Sequence, residues 1–350
     1  MNTNVGIIGL GRYLPSEMRT NEDVAARTPG VNAEWVGRRT GVLTRHVAAP
    51  GEAASDLATP AAEAALSAAE LDPAQVSLLV VATTTADEPS PATACRVQAA
   101  LGAVNAVSFD VNGACAGWLF AVKIARDWLR DNPTGGYAVV IGVEVFSRFL
   151  DPDDRATAVI FGDGAAATVL GPVPDGTGFD EICLGTESDL ADAVVVPGGG
   201  SRLPASLSTV ERREHTIRMD GRAVTQFFRS KFPQLLHDLL ADNDLKLDEI
   251  DAFACHQANP VLLKAVAAEH GIDQERLIVV ADRIGNIGSG CTPYAIAEAV
   301  ARGRLRPGSR VVLVAFGAGM TWGSALLTWA PGVRLLDATP APAARAKESV

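Results

Sequence analysis

Residues 137–145 (YAVVIGVEV) and 161–170 (FGDGAAATVL) are predicted to form an apolar strand, a glycine turn and a second apolar strand. The same pattern returns near the C-terminus, where residues 309–319 read SRVVLVAFGAG and residues 321–329 read TWGSALLTW. A pattern that occurs twice in this way suggests an internal duplication. The sequence therefore predicts two halves that share one architecture.

Strands and helices alternate around these two stretches. Apolar, β-branched runs predict buried strands, and apolar residues at helical spacing predict helices between them. The predicted strands include residues 77–85, 107–111, 252–255 and 277–280, and the predicted helices include residues 118–129 and 260–269. This alternation is typical of layered α/β proteins.

Glycine and proline accumulate between residues 171 and 178, which marks the boundary between the halves. We place the N-terminal half at residues 1–172 and the C-terminal half at 173–335. Residues 336–350 are rich in alanine, proline and lysine, and they are predicted to form a disordered tail.

The composition excludes several classes of protein. The 350 residues are 48% hydrophobic and 20% charged, which is enough apolar material for a large core. A net charge of −11 argues against a general nucleic-acid binder. No apolar run reaches the ~20 residues of a membrane span, and the N-terminus lacks the features of a signal peptide. We therefore expect a cytoplasmic protein without a membrane or nucleic-acid partner.

The five cysteines are interpreted as buried thiols of the core, with one possible exception. They are odd in number, and none forms a CxxC pair, so neither a disulfide framework nor a cysteine-based metal site is predicted. One of them stands out. Cys115 lies in DVNGACAGW (residues 110–118), where a strand leads through small residues into a helix. A thiol at a helix N-terminus is expected to have a lowered pKa, and the small neighbours leave room for a substrate.

Two further residues are candidates for chemistry. His256 ends an apolar strand in the stretch CHQAN, and catalytic residues of α/β folds gather at strand ends. Asn286 lies in a glycine-rich loop, RIGNIGSG, that suits the presentation of one amide. Taken alone, each is also compatible with an ordinary structural residue.

These residues and their surroundings resemble the β-ketoacyl-(acyl carrier protein) synthase III family of thiolase-fold condensing enzymes. The resemblance extends to about Trp329. It rests on Trp35 with Arg39-Thr-Gly, Thr83-Thr-Thr, Ala114-Cys115-Ala-Gly, Asp151-Pro-Asp-Asp-Arg155, Phe161-Gly-Asp-Gly, His256-Gln-Ala-Asn259, Gly285-Asn286 and Phe316-Gly-Ala-Gly-Met-Thr-Trp-Gly-Ser. It implies a thiolase-like fold, in which two duplicated βαβαβαββ halves form a layered α/β/α/β/α core, and it implies a homodimer.

The resemblance also implies an activity. An acyl group is loaded from acyl-CoA onto Cys115 and then condensed, with loss of carbon dioxide, with a malonyl thioester, possibly held on an acyl carrier protein. His256 and Asn286 would bind the carbonyl of the second substrate, while the backbone N–H groups of Cys115 and Ala318 would form the oxyanion hole. Coenzyme A thioesters are substrates here, and no resident cofactor is expected.

The same resemblance assigns residues to substrate binding. Trp35, Arg39 and Arg155 would contact the nucleotide of coenzyme A. Gly221, Arg222 and Asn259 would line the path of its pantetheine arm, and Ser90 and Phe316 would border the acyl pocket.

Some positions depart from the family pattern. Val261 stands where fatty-acid members commonly carry an arginine that docks the carrier protein, and Ser90 replaces a phenylalanine that the partner subunit often supplies. Residues 202–231 hold seven cations and three acidic residues, so they are either a solvated face or a patch that attracts anionic substrates. These features favour a specialised pathway over the housekeeping one.

Other functions remain as alternatives. The acyl group could pass from Cys115 to a hydroxyl or amine of a small molecule, with His256 as the base. A binding subunit without activity is disfavoured because Cys115 is present. A thiolase is disfavoured because Cys291 does not lie in the context of its second cysteine. A nicotinamide-dependent dehydrogenase is disfavoured because the glycine fingerprint is incomplete.

Overall fold

The structure is a computed structural model that describes residues 4–131 and 135–338. Its strands are β1 (Val5–Tyr13), β2 (Glu17–Thr20), β3 (Thr44–Val47), β4 (Val76–Ala82), β5 (Val107–Val111), β6 (Tyr137–Val145), β7 (Asp163–Pro172), β8 (Gly178–Thr186), β9 (Val194–Val195), β10 (Arg218–Met219), β11 (Ala252–Phe253), β12 (Arg310–Gly317), β13 (Thr321–Thr328) and β14 (Arg334–Asp337). Its helices are α1 (Asn21–Ala25), α2 (Ala33–Thr40), α3 (Ala54–Ala68), α4 (Thr93–Leu101), α5 (Gly117–Asp131), α6 (Leu207–Glu211), α7 (Gly221–Asp242), α8 (Pro260–Glu269), α9 (Ala281–Ile284) and α10 (Cys291–Ala301).

Two mixed sheets form the framework, and their topologies correspond. The first sheet has the order β14-β1-β7-β6-β4-β5, and the second has the order β11-β12-β13-β8. In the first, β4 and β6 are parallel and β6 and β7 antiparallel; in the second, β11 and β12 are parallel and β12 and β13 antiparallel. The predicted duplication is confirmed, because β1, β7, β6 and β4 of the first sheet have the same order and relative directions as β8, β13, β12 and β11 of the second.

The sheets and helices stack in five layers. Helices α3 and α4 cover one face of the first sheet, and α7 and α8 cover the outer face of the second. Helices α5 and α10 lie between the sheets and contact the inner faces of both. This is the predicted layered α/β/α/β/α core of a thiolase-like fold.

The two central helices are buried because apolar sheets face them from both sides. Helix α10 has nine buried residues among its eleven, and Trp118 at the start of α5 is only 1% exposed. A helix between two sheets needs apolar residues around most of its circumference. Their N-termini meet where the strands of both sheets end, so the layering brings Cys115 and the Asn286 loop to one place.

The structure differs from the predicted strand at residues 277–280 and from the predicted start of the tail. The predicted strand 277–280 is wrong in extent, since only Leu277 forms a bridge, to Phe253. The predicted tail is wrong at its start, because Leu336 and Asp337 pair with β1 as part of β14, whereas residues 339–350 lie outside the described residues. The boundary between residues 172 and 173 coincides with the end of β7 and stays a prediction.

A search of residues 4–131 and 135–338 for membrane spans finds no helix with the length and apolarity that such a span requires.

Candidate active site

The three predicted catalytic residues line one cavity. Cys115, His256 and Asn286 come from distant parts of the chain and meet around a space of about 470 Å³. Ala318 and Phe316 also line it, as predicted for the oxyanion hole and the acyl pocket. Most other lining residues are apolar, so the cavity offers an apolar chamber with few polar groups at its centre, as substrate sites usually do.

Cys115 lies in a tight turn between β5 and α5. A 3₁₀ turn spans Ala114–Ala116, and Ala114 has a φ of +48°, in the left-handed region that alanine rarely adopts. The end of β12 packs against this turn: a Cβ atom on Gly317 would lie 2.7 Å from the backbone nitrogen of Cys115. The strained turn and the glycine together fix Cys115 beside the second half of the chain.

The expectation of a lowered thiol pKa is wrong in direction. Burial raises the pKa of Cys115 well above its ordinary value, and the carboxyl of Glu144 and the thiol of Cys291 raise it further. Desolvation disfavours the thiolate more strongly than the helix N-terminus favours it. A reaction at this sulfur therefore needs a group that accepts the thiol proton.

His256 is placed by the second sheet and is neutral. Its backbone N–H donates to the carbonyl of Val314 at 2.8 Å, and the residue is 4% exposed. Burial lowers the pKa of its imidazole to about 4. The Nδ1 atom is buried and has no hydrogen-bond partner within the described part of the chain. A neutral imidazole can accept a proton at one nitrogen and donate one from the other.

The side-chain amide of Asn286 has a defined orientation. Its Oδ1 accepts a hydrogen bond from the backbone N–H of Gly288 at 2.9 Å and another from the thiol of Cys291 at 3.4 Å. A backbone N–H can only donate, so the atom of the amide that faces Gly288 must be the oxygen. The amide NH₂ is then left for the cavity, where Asn286 can only donate to a ligand.

Gln257 connects the elements that carry His256 and Asn286, and the sequence analysis did not assign it a role. It is fully buried, and its Oε1 accepts from the N–H groups of Val280 at 2.8 Å and Ala281 at 3.1 Å. Its Nε2 donates to the carbonyl of Ile278. Gln257 directly follows His256 in the stretch CHQAN, and this position was the signal that the sequence offered.

The predicted coenzyme A residues gather outside the chamber. The guanidinium of Arg155 lies 5.9 Å from the ring centroid of Trp35, and Nδ2 of Asn259 donates to the carbonyl of Arg39 at 3.3 Å. Asn259 also lines the cavity and caps α8 through a bond from Leu262. Trp35, Arg39 and Arg155 do not line the cavity, whereas Asn259, which donates to Arg39, does.

Three other predicted residues lie away from the cavity. Gly221 and Arg222 begin α7 and are exposed, although Val224 in the next turn lines the cavity. Ser90 is exposed and does not line the cavity of its own chain. The resemblance assigns that position to a partner subunit, so the role of Ser90 stays a prediction.

The basic segment 202–231 is largely neutralised by acidic neighbours. Arg213 contacts Asp151 at 2.5 Å and Asp153 at 2.6 Å, and Arg218 contacts Glu214 at 2.8 Å. Further ion pairs are Arg212–Glu214, Arg229–Glu269 and Lys231–Glu187. Within the described ranges only Arg202 and Arg222 of the seven cations lack an ion pair, which favours a solvated face over an anion-attracting patch.

Comparison with known proteins identifies the family. Family models match at residues 109–188, described as 3-oxoacyl-[acyl-carrier-protein (ACP)] synthase III, and at residues 240–329, described as its C-terminal part. A β-ketoacyl-[acyl-carrier-protein] synthase III from Clostridioides difficile (strain 630) is 41% identical over 331 residues, which are 94% of this chain and 99% of that protein. The chain belongs to the β-ketoacyl-[acyl-carrier-protein] synthase III family.

Other members of the synthase III family and its structural neighbours agree. An acetoacetyl CoA synthase from Streptomyces sp. (strain CL190) is 41% identical and covers 92% of this chain and 98% of its own length. The synthase III structure from Thermus thermophilus superposes with a TM-score of 0.84 at 36% identity, covering 93% of this chain and 99% of that one. The priming β-ketosynthase of the R1128 polyketide pathway gives a TM-score of 0.85 at 28% identity, covering 94% and 98%.

The protein is therefore an enzyme of the acyltransferase class, a condensing enzyme of fatty-acid or natural-product biosynthesis. The described residues contain no cluster of three or more His, Cys, Asp or Glu that could hold a metal ion.

Proposed function

We propose that this synthase III loads an acyl group from acyl-CoA onto Cys115 and condenses it with a malonyl thioester, releasing carbon dioxide. The observation that carries the proposal is the fixed amide of Asn286. Its NH₂ is left for a cavity that Cys115 and the neutral imidazole of His256 also line. Decarboxylation of a malonyl thioester builds negative charge on the thioester oxygen, and two neutral donors beside that oxygen would stabilise it.

In the first step, the sulfur of Cys115 attacks the thioester carbonyl and the bond from that carbon to the coenzyme A sulfur breaks. The thiol proton ends on the departing coenzyme A thiol, and His256 is the neutral group in the cavity that can carry it. The backbone N–H groups of Cys115 and Ala318 would hold the oxyanion. In this mechanism coenzyme A enters as a substrate, and no resident cofactor is needed.

In the second step, the malonyl thioester loses carbon dioxide to give an enolate that His256 and Asn286 stabilise. The enolate carbon attacks the acyl carbonyl, and the carbon–sulfur bond to Cys115 breaks. The thiolate that leaves takes up a proton from solvent, because desolvation favours the protonated form of Cys115.

We further propose that Trp35, Arg39 and Arg155 hold the nucleotide of coenzyme A. The ring of Trp35 and the guanidinium of Arg155 lie close together, which suits stacking on a base and contact with phosphate. Asn259 lies between this surface and the chamber. The acetoacetyl CoA synthase relative suggests that the acceptor is a coenzyme A thioester, with a carrier protein as the alternative. The cytoplasmic location expected above stays a prediction.

We also propose a homodimer that joins at β5. This strand is an edge of the first sheet and has only β4 as a strand partner within residues 4–131 and 135–338. Val107 on β5 is 48% exposed and Val104 before it is 74% exposed. An exposed apolar edge strand is a ready template for pairing with another chain. Sedimentation of wild type and a Val107→Asp variant would test the dimer.

Intact-protein mass spectrometry after mixing with a panel of acyl-CoAs tests the first step. Wild type is expected to gain the mass of one acyl group, Cys115→Ala none, and the matched control Cys95→Ala, which removes an exposed thiol, as much as wild type. The proposal would be overturned if wild type gained no mass either with acyl-CoA or with acyl groups held on an acyl carrier protein. Adding malonyl-CoA then separates condensation, which releases carbon dioxide, from transfer to a hydroxyl or amine, which does not.

A further inference from the structure

Glu144 is a fully buried carboxylic acid in the apolar strand β6, and the mechanism above does not use it. Its carboxyl oxygens accept hydrogen bonds from the backbone N–H of Thr84 at 3.1 Å and from the hydroxyls of Thr84 and Thr85, each at 2.9 Å. Thr84 and Thr85 line the catalytic cavity. Through these hydrogen bonds, the carboxyl group of Glu144 fixes Thr84 and Thr85, which form part of the cavity wall.

The same carboxyl group contacts the loop that carries Asn286. The hydroxyl of Ser289 lies 3.3 Å from Oε1 of Glu144, and it also donates to the carbonyl of Ala82 at 2.7 Å. Gly288 packs so closely that a Cβ atom there would lie 2.7 Å from Cγ of Glu144. Gly288 is the residue whose N–H orients the Asn286 amide, so Glu144 supports that orientation from behind.

The charge of Glu144 acts on the nucleophile. Its carboxylate raises the pKa of Cys115, and Cys291 is the other titratable group that does so. Burial raises the pKa of Glu144 to about 7, while the threonine and serine hydrogen bonds act in the opposite direction. In the described part of the chain no Lys, Arg or His forms an ion pair with Glu144, so its negative charge is not neutralised by a neighbouring cation.

We propose that Glu144 is a positioning residue that joins the Thr84 wall to the Asn286 loop, and that its carboxylate makes Cys115 less reactive toward electrophiles. Ionisation of Glu144 near neutral pH places a second negative charge against the thiolate, because like charges in a low-dielectric site oppose each other. The carboxylate then opposes the loss of the thiol proton, so the reactivity of Cys115 rises with pH over a wider range than one isolated thiol would show. The inference rests on the proposed function for the role of Cys115 as the acylated nucleophile.

The test is the rate of alkylation of Cys115 by iodoacetamide as a function of pH, read by mass spectrometry of its peptide. Glu144→Gln keeps the size of the side chain and removes the charge. Its profile is expected to become that of a single ionisation and to move on the order of one pH unit lower, about a tenfold faster reaction at a fixed pH below the thiol pKa. Profiles of Glu144→Gln and wild type that superimpose would overturn the proposal.

A matched control and a second variant complete the test. Asp163→Asn removes another fully buried acid, one bonded to Ser147 and Ala48, and is expected to leave the profile unchanged. Ser289→Ala removes one donor that holds the Glu144 pKa down, so the inflection due to Glu144 is expected to move to higher pH. If it does not move, the proposal fails even where the glutamine variant does not fold. Alkylation needs no acyl-CoA, so this failure is separate from a failure of wild type to accept an acyl group.

Discussion

Replacing Asn286 with aspartate or alanine tests the mechanism most directly, because the amide of Asn286 is oriented by its surroundings. In the aspartate variant one oxygen keeps the bonds from Gly288 and Cys291, and the other takes the place of the NH₂ that faces the cavity. A donor is thereby exchanged for an acceptor with almost no change in shape. The alanine variant removes the donor and leaves the N–H of Gly288 without its acceptor.

The expected loss follows from the burial of the site. Asn286 is 2% exposed, so water cannot readily replace its hydrogen bond to the enolate. Loss of one preorganised donor to an oxyanion costs about 3 kcal/mol, a factor of 10²–10³ in rate. We expect Asn286→Ala to lose decarboxylation by this factor and Asn286→Asp to lose at least as much, because a carboxylate also repels the enolate. Acylation of Cys115 is expected to persist, since its oxyanion is bound by backbone N–H groups.

The assay measures carbon dioxide release from malonyl-CoA and, separately, the mass gain of Cys115 with acyl-CoA. Asn105→Asp is a matched control, because Asn105 is exposed and its side-chain amide donates to the carbonyl of Ala74, away from the cavity. Its rates are expected to equal those of wild type. An Asn286→Asp enzyme that decarboxylates at the wild-type rate would refute the inference that an outward amide donor stabilises the enolate.

Three further predictions concern the same centre. His256 has a pKa of about 4 in the folded protein and about 6.5 in the unfolded chain, so the free energy of unfolding falls as the pH drops from 6.5 to 4. In urea unfolding, we expect the decrease between pH 7 and pH 5 to be about 2 kcal/mol smaller for His256→Gln than for wild type. Gly317→Ala is expected to abolish acylation in the mass assay, because its Cβ atom would lie 2.7 Å from the nucleophile's backbone nitrogen, whereas Gly51→Ala, which has open space, should acylate normally. Cys291→Ala should slow carbon dioxide release a few-fold by removing a weak donor to Asn286, roughly 1 kcal/mol, and Cys291→Ser should restore it; equal rates would contradict this role.

Contradictory outcomes are equally specific for the first two of these. An unchanged pH dependence of unfolding in His256→Gln would show that the imidazole is not held neutral by burial. Normal acylation in Gly317→Ala would show that the end of β12 does not approach the nucleophile as closely as the structure places it.

Much of the fold could be predicted from short-range patterns. The apolar runs and glycine turns at residues 137–170 and 309–329 indicated the duplication, which the matching strand orders of the two sheets confirm. The strand predicted at residues 277–280 was wrong in extent. These residues are apolar and mostly buried, but only Leu277 pairs with a strand. An apolar run indicates burial, and pairing depends on neighbours that are remote in sequence.

Local sequence patterns indicated part of the site. The helix start at Cys115 and the strand end at His256 suggested those two residues, Asn286 was assigned through the family resemblance, and the structure places all three around one cavity. These are local features, and backbone geometry acts over a few residues. That is why they could be recognised without coordinates.

The electrostatics of the site depend on contacts that form only in the folded chain. Cys115 has a raised thiol pKa because burial and Glu144 outweigh the helix N-terminus, and the partners of Glu144 come from residues 60 positions before it and 145 after it. The cations of residues 202–231 are likewise neutralised largely by acids outside that segment, such as Asp151. Desolvation and charge pairing depend on which distant groups folding brings together, and no local pattern in the sequence records them.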